Sequence, residues 1–117
     1  MKYLYLLLFS IIQIPLFAQV VFKNYDINPG ADSSSPWQFT NYNGNMCFGA
    51  FTNAYGAQLW MIDKNGNTQM LTNINNGNNY NPPEILGEIN GKLILVATDS
   101  AHGTELWITD GSTAGTK

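Results

Sequence analysis

The chain has 117 residues and a formal net charge of −3, with five Lys, no Arg and only 11% charged residues, where an ordinary soluble domain carries about 25%. That length suits one small domain, and 13% aromatic residues supply enough apolar surface for a core, which excludes wholesale disorder. The absence of a basic patch leaves nucleic-acid binding through phosphate neutralisation without a footing, and one Cys with one His can build neither an internal disulfide framework nor a His/Cys zinc site.

In chain order, the first element is an address. Met1-Lys2 precedes Tyr3 to Phe17, apolar apart from Ser10 and Gln13, and the stretch ends in Pro15-Leu16-Phe17-Ala18-Gln19. A positive start, an apolar stretch of about 7–15 residues and a small residue at its end describe a secretory signal peptide. Residues 1–19 are read that way, with cleavage after Ala18 or Gln19. The rival, an uncleaved anchor, needs about 20 apolar residues and is weakened by Gln13 and Pro15. No Cys near the cleavage point offers a lipid anchor.

Strands follow. Val20–Tyr25 is a leading strand, placed to pair with a last blade if the fold closes into a ring. Asn43-Gly44 then separates Trp37–Tyr42 from Met46–Thr52, and Asn90-Gly91 separates Ile85–Ile89 from Leu93–Thr98. Asn-Gly is the strongest short hairpin signal, because a type I′ turn needs φ > 0 at both central residues. The flanks are rich in aromatic and β-branched residues, as strands are. Further turns at Tyr55-Gly56 and His102-Gly103 lead into strands Gln58–Ile62 and Glu105–Thr109. Turns at Asn65-Gly66 and Asp110-Gly111 end those, and Gln69–Ile74 makes a fourth strand in the first unit. No window carries a helical period.

The two halves repeat. Leu59-Trp60 recurs as Leu106-Trp107, an offset of 47 residues. The same offset, without a gap, places Ile27-Asn28 on Ile74-Asn75, Gly30 on Gly77, Pro36 on Pro83 and Asn43-Gly44 on Asn90-Gly91. It also places Ala50 on Ala97, Ala54 on Ala101, Gly56 on Gly103 and Asp63 on Asp110. The division is therefore a first unit over 20–69 and a second over 70–117, truncated at its last strand. Four short strands in about 47 residues is the content of a β-propeller blade. The expected fold is all-β: two tandem four-stranded antiparallel meanders, part of an incomplete propeller, with Trp60 and Trp107 in equivalent positions of the packing between blades.

Glu105-Leu106-Trp107-Ile108-Thr109-Asp110-Gly111-Ser112-Thr113-Ala114-Gly115-Thr116 resembles the ELWxxDGTxxGT repeats of secreted bacterial proteins. Glu105, Leu106, Trp107, Asp110, Gly111, Gly115 and Thr116 fit, and Ser112 stands where Thr is usual. Asp99–Gly103, Asp26–Gly30, Ser34-Ser35-Pro36 and Asn43-Gly44 resemble the family's other consensus points. The first unit keeps Leu59, Trp60 and Asp63, but Lys64-Asn65-Gly66 replaces the Gly-Thr turn. The resemblance implies a secreted β-propeller-like architecture of the kind found in long Bacteroidetes surface proteins. It brings no agreed activity and no catalytic residues.

Each candidate site has a plainer rival. Glu105 and Asp110 form a candidate carboxylate pair, but in a repeated motif an Asp before Gly-Ser is expected to cap its turn. His102 is a candidate base or ligand contact, yet its counterpart is Tyr55, which favours a turn or rim role. No nucleophile elbow accompanies it. Asp63–Asn67 lacks the order of an EF-hand loop and reads as a turn. Asn73–Asn81 reads as a solvated loop between blades. Cys47, in an apolar run, reads as a buried, inert thiol. Among the aromatic residues, Trp60 and Trp107 are assigned to packing. Trp37, Tyr42, Tyr55 and Tyr80 are candidates for stacking on sugar rings, with Trp37, Tyr80 and His102 retained as ligand contacts.

The sequence thus predicts an exported, secreted or surface-held, non-catalytic binding or structural module, without cofactor or metal. Its expected partners are an extracellular protein or glycan, and no membrane span remains once the leader is cleaved. The alternative is the N-terminal part of an extracellular propeller hydrolase or lyase whose catalytic residues lie beyond this chain. Repeat arrays need about three or more units, so further repeats or self-association are expected.

Overall fold

A computed structural model describes residues 23–74 and 81–117. The leader and the first half of the expected leading strand lie outside the described residues, and its remaining half, Lys23–Tyr25, is not in a strand. The protein is all-β and, among the described residues, forms no helix. Among the described residues, seven strands build two antiparallel meanders that do not close on one another. β1 (Trp37–Tyr42), β2 (Asn45–Thr52), β3 (Gly56–Ile62) and β4 (Thr68–Met70) form the first sheet in the order β1-β2-β3-β4. β5 (Glu84–Ile89), β6 (Lys92–Asp99) and β7 (Gly103–Thr109) form the second in the order β5-β6-β7.

The Asn-Gly turns fix the register. Asn43 and Gly44 have φ of 50° and 76°, and Asn90 and Gly91 have 49° and 71°, the left-handed pair that a type I′ hairpin requires. Tyr42 then pairs with Asn45, and Ile89 with Lys92. Each first hairpin contains a bulge at the same repeat position, between Trp37 and Thr40 and between Ile85 and Gly87. The extra residue bends the strand and raises its twist. Gln38 occupies the first bulge at φ 50°, a conformation that costs a non-Gly side chain energy.

β4 ends at Met70 rather than at Ile74, for a local reason. Leu71 N and Thr72 N both donate to Leu59 O, while Leu59 N donates to the Thr72 hydroxyl at 2.8 Å. A side chain takes the rung that a backbone carbonyl would fill, and the ladder stops there. In the second unit three strands form instead of four. The chain nevertheless turns back at its end: Ile108 N donates to Lys117 O at 2.8 Å and Lys117 N to Ile108 O at 3.0 Å. In the first unit the equivalent Met61 pairs with Gln69, so the second unit's last turn is one residue longer.

The main core lies between the sheets. Tyr42, Cys47, Leu59 and Met61 of the first sheet pack with Leu71 and Ile74 of the connection against Leu93, Leu95 and Ala97 of the second, with Ile85 and Trp107 half-buried beside them. The Tyr42 hydroxyl crosses this core and donates to Gly91 O at 2.5 Å. Burial raises the Tyr42 pKa, and the nearby Asp110 and Glu88 carboxylates add to the rise. Burial likewise pushes the Cys47 thiol up to about 11, as the inert thiol read from the sequence requires.

A smaller cluster of Ile27, Phe48 and Ala50, flanked by Tyr25, Trp60 and Ile62, covers the outer face of the first sheet. The two Trp residues therefore hold equivalent places on their own sheets and different places in the molecule. Only Trp107 packs between sheets. Trp60 lies on the outer face, where its buried Nε1–H has no partner among the described residues.

Candidate functional site

A cavity of about 560 Å³ opens where β1 and β5 begin, and is lined by Trp37, Gln38, Pro83, Glu84, Thr98 and Thr104 among others. Trp37 and Glu84 are repeat equivalents, so the cleft sits on the local pseudo-symmetry between the units. It is held open by a contact between the bulges: Ile85 N donates to Gln38 Oε1 at 2.9 Å. The strained residue thus uses its side chain to join β1 to β5. Trp37 is held by a different device. Its indole lies against Gly49 so closely that a Cβ there would overlap the ring. One side of the ring is packed on backbone while the residue stays partly exposed at the cleft. A fixed aromatic ring beside amide, hydroxyl and carboxylate groups is the composition of a small-ligand site.

His102 stands apart from the cleft floor, in the turn joining β6 to β7, whose ends contribute Thr98 and Thr104 to the lining. It is exposed, and its Nδ1 lies 2.9 Å from Asp99 Oδ2. Asp99 Oδ1 also accepts the Ala101 and His102 amides, the capping role that Thr52 plays for Tyr55 N in the first unit. The hydrogen bond to Asp99, with its charge, raises the His102 pKa above 6.5. The bonds from His102 lower that of Asp99. The stability this pair contributes is complete between the ordinary carboxylate and imidazole values. It fades as pH rises through the raised His102 value and as pH falls through the lowered Asp99 value. A proton NMR titration of this single His is expected to give a midpoint above 6.5, and Asp99→Asn is expected to bring it back toward 6.5. An unchanged midpoint would show that the pair does not form.

The motif carboxylates are spent on turns. Asp110 Oδ1 accepts Ser112 N at 2.9 Å and Ser112 Oγ at 2.6 Å, and these bonds lower its pKa. Ser112 Oγ in turn accepts Gly115 N, Ser112 O accepts the Thr116 hydroxyl, and that hydroxyl meets Thr109 Oγ1 at 2.6 Å. A Cβ at Gly115 would overlap the Asp110 carboxylate. The motif is therefore a self-bonded loop that returns the chain to β7. Asp63 does the same in the first unit, accepting Asn65 N and Asn67 N at 2.8 Å. The bonds from Asn67 lower its pKa. Glu105, on β7, is exposed. Among the described residues no group of three or more His, Cys, Asp or Glu is placed to hold a metal ion.

The other aromatic candidates separate. Tyr42 is a core residue. Tyr55 is exposed and lines another, smaller cavity of about 360 Å³ with Trp60 and Asn53. Tyr80 lies outside the described residues, as does most of the Asn-rich loop. Sequence reasoning singled out Trp37 but not Gln38 or Glu84, which enter the site only because the two sheets bring their bulges together. Among the described residues no helix is long and apolar enough to cross a membrane. Set against protein-family models, curated proteins and solved structures, the chain matches none of them.

Proposed function

We propose that this is an exported, non-catalytic β-repeat protein that binds a neutral glycan in the cleft between its two sheets. The carrying observation is the Trp37 indole, locked on Gly49 at the mouth of a cavity of about 560 Å³. A ring whose position is set before the ligand arrives loses little entropy on binding, and its face suits the apolar side of a sugar. Gln38, Thr98 and Thr104 supply polar groups at the same opening. The non-catalytic reading draws on the motif carboxylates, since Asp63 and Asp110 are engaged by their own turns. Export rests on the leader read in residues 1–19 and on the resemblance of Glu105–Thr116 to secreted repeats.

The test is a glycan array probed with the protein recovered from the medium of an expressing bacterium, where the mature chain should begin at Gln19 or Val20. A hit is then titrated by calorimetry against Trp37→Ala. Loss of one ring contact worth about 1.4 kcal/mol weakens binding about tenfold. No binding across neutral glycans, or binding indifferent to Trp37→Ala, overturns the assignment.

A further inference from the structure

The 47-residue offset also superimposes one side of each sheet on the other, and the two copies of that side have opposite fates. In the first sheet Cys47, Gly49, Leu59 and Met61 share one face, joined as the cross-strand pairs Cys47–Met61 and Gly49–Leu59. All four are buried, three of them in the core between the sheets. Their equivalents are Ile94, Val96, Leu106 and Ile108, joined as Ile94–Ile108 and Val96–Leu106. This second face is more apolar than the first, yet among the described residues no second sheet covers it: Ile94, Val96 and Ile108 are half-buried and Leu106 is exposed. Leu59 is 0% exposed and Leu106 is 69% exposed. Ile89, which stands where Tyr42 plugs the first unit's core, is 58% exposed.

The opposite sides show the complementary pattern. An apolar groove of about 230 Å³ on the outer face of the first sheet is lined by Tyr25, Ile27, Pro36, Phe39, Phe48 and Ile62, with Ser34 at its edge. Phe39, 60% exposed, stacks on Phe48 at a centroid distance of 5.5 Å. The equivalents of Ile27, Pro36, Phe48 and Ile62 are Ile74, Pro83, Leu95 and Thr109, and all four are buried. Ile74 and Leu95 belong to the core built where the Leu59 face meets the second sheet. Among the described residues, the first sheet's outer face and the second sheet's outer face thus present the two halves of an interface that forms once between the sheets.

We propose that the Leu106 face of one molecule seats in the Phe39–Phe48 groove of a second copy, repeating head to tail the packing of the first sheet on the second. The contact is heterologous, so successive copies build a ring if the rotation closes and an open array if it does not. With two blade-like sheets per copy, and propellers of about 4–8 blades, a closed ring would hold about two to four copies. Val96 belongs to this face and also lines the proposed sugar cleft, but Leu106, Ile89 and Phe39 do not line it, so substitutions at those three positions test the association apart from sugar binding.

The experiment is sedimentation velocity on the full chain and two variants over a wide concentration range. The unmodified protein should sediment as species larger than the monomer, growing with concentration. Leu106→Lys and Phe39→Lys alter exposed positions and should each give monomers. A retained His102 titration midpoint reports that the fold persists, and Ile89→Lys serves as a second block on the Leu106 side. The decisive arm is an equimolar mixture. Leu106→Lys keeps an intact groove and Phe39→Lys an intact face, so together they should form a capped one-to-one dimer and nothing larger. A protein that is monomeric throughout overturns the proposal, whatever else the face binds. So does association that survives either substitution, or a mixture that stays monomeric.

Discussion

Leu59→Ala is expected to destabilise the protein by about 2–5 kcal/mol, the range for truncating a fully buried Leu that leaves a cavity behind. Leu59 is 0% exposed and touches the core from the centre of β3, and its N–H and C=O hold the start of the connection to the second unit. The same change at Leu106, its equivalent in the repeat, should cost less than about 0.5 kcal/mol when measured at a dilution where the chain is monomeric, since an exposed side chain has little burial to lose. Urea unfolding of the two variants side by side makes the comparison. Both leucines precede a Trp on the third strand of a meander and hold equivalent registers, opposite Gly49 and Val96, so the difference reports chiefly the packing of one sheet on the other. Equal effects would show that the sheets do not pack through the Leu59 face.

The same pair of leucines shows what a sequence of this kind discloses. Both occur in Leu-Trp, both lie on the third strand of a meander, and both were placed there from turn chemistry alone. A two-residue Asn-Gly loop leaves one register open to its flanks, so the strand bounds at Trp37–Tyr42 emerge as expected and those of β2, β3, β5, β6 and β7 to within two residues. Burial did not follow from the motif, because it depends on what stands opposite each sheet. The bulge at Gln38 was also hidden. A Gln at positive φ has no composition cue, whereas Gly87, which bounds the matching bulge, is a residue that tolerates it. The cleft follows the same logic. Trp37 stood out as an aromatic residue whose counterpart is Glu84, but nothing local announces that β1 and β5 lie side by side. His102 was visible as a loop residue, and the Asp99 that positions it lies three residues earlier, a spacing a turn brings together. The capping roles of Asp63 and Asp110 were legible because the bond from an Asp to the amide two residues on is local.

Gln58 holds the joint between the units, and its replacement is the sharper test of how they are connected. The side chain is 0% exposed, and its bonding capacity is fully used. Nε2 donates to Tyr55 O at 2.8 Å and Ile74 O at 3.1 Å. Oε1 accepts from the Thr72 hydroxyl at 2.7 Å and Ile74 N at 3.1 Å. Gln58→Leu keeps the bulk and leaves these groups unpaired, at about 1–3 kcal/mol for each one that water cannot reach. A total loss of about 3–5 kcal/mol is expected in urea unfolding at pH 7. Gln58→Glu separates the two halves of the role. The new carboxylate can still accept from Thr72 and Ile74 N, but it faces the Tyr55 and Ile74 carbonyl oxygens with no proton to give. Burial and those carbonyls raise its pKa in the folded state above the ordinary Glu value. The penalty is therefore largest at neutral pH and shrinks as pH falls through that raised value, where protonation restores one donor. The gap between Gln58→Glu and the unmodified protein should narrow from pH 7 to pH 4, while the gap for Gln58→Leu should not. A constant gap for both would mean that the connection at 71–74 is not held by this amide. The repeat carries Glu105 at the equivalent position, on a strand edge with no connecting segment beside it among the described residues, and Glu105 is exposed. A carboxylate is tolerated where solvent completes its hydrogen bonds, and an amide stands where the chain itself must supply both donors and acceptors.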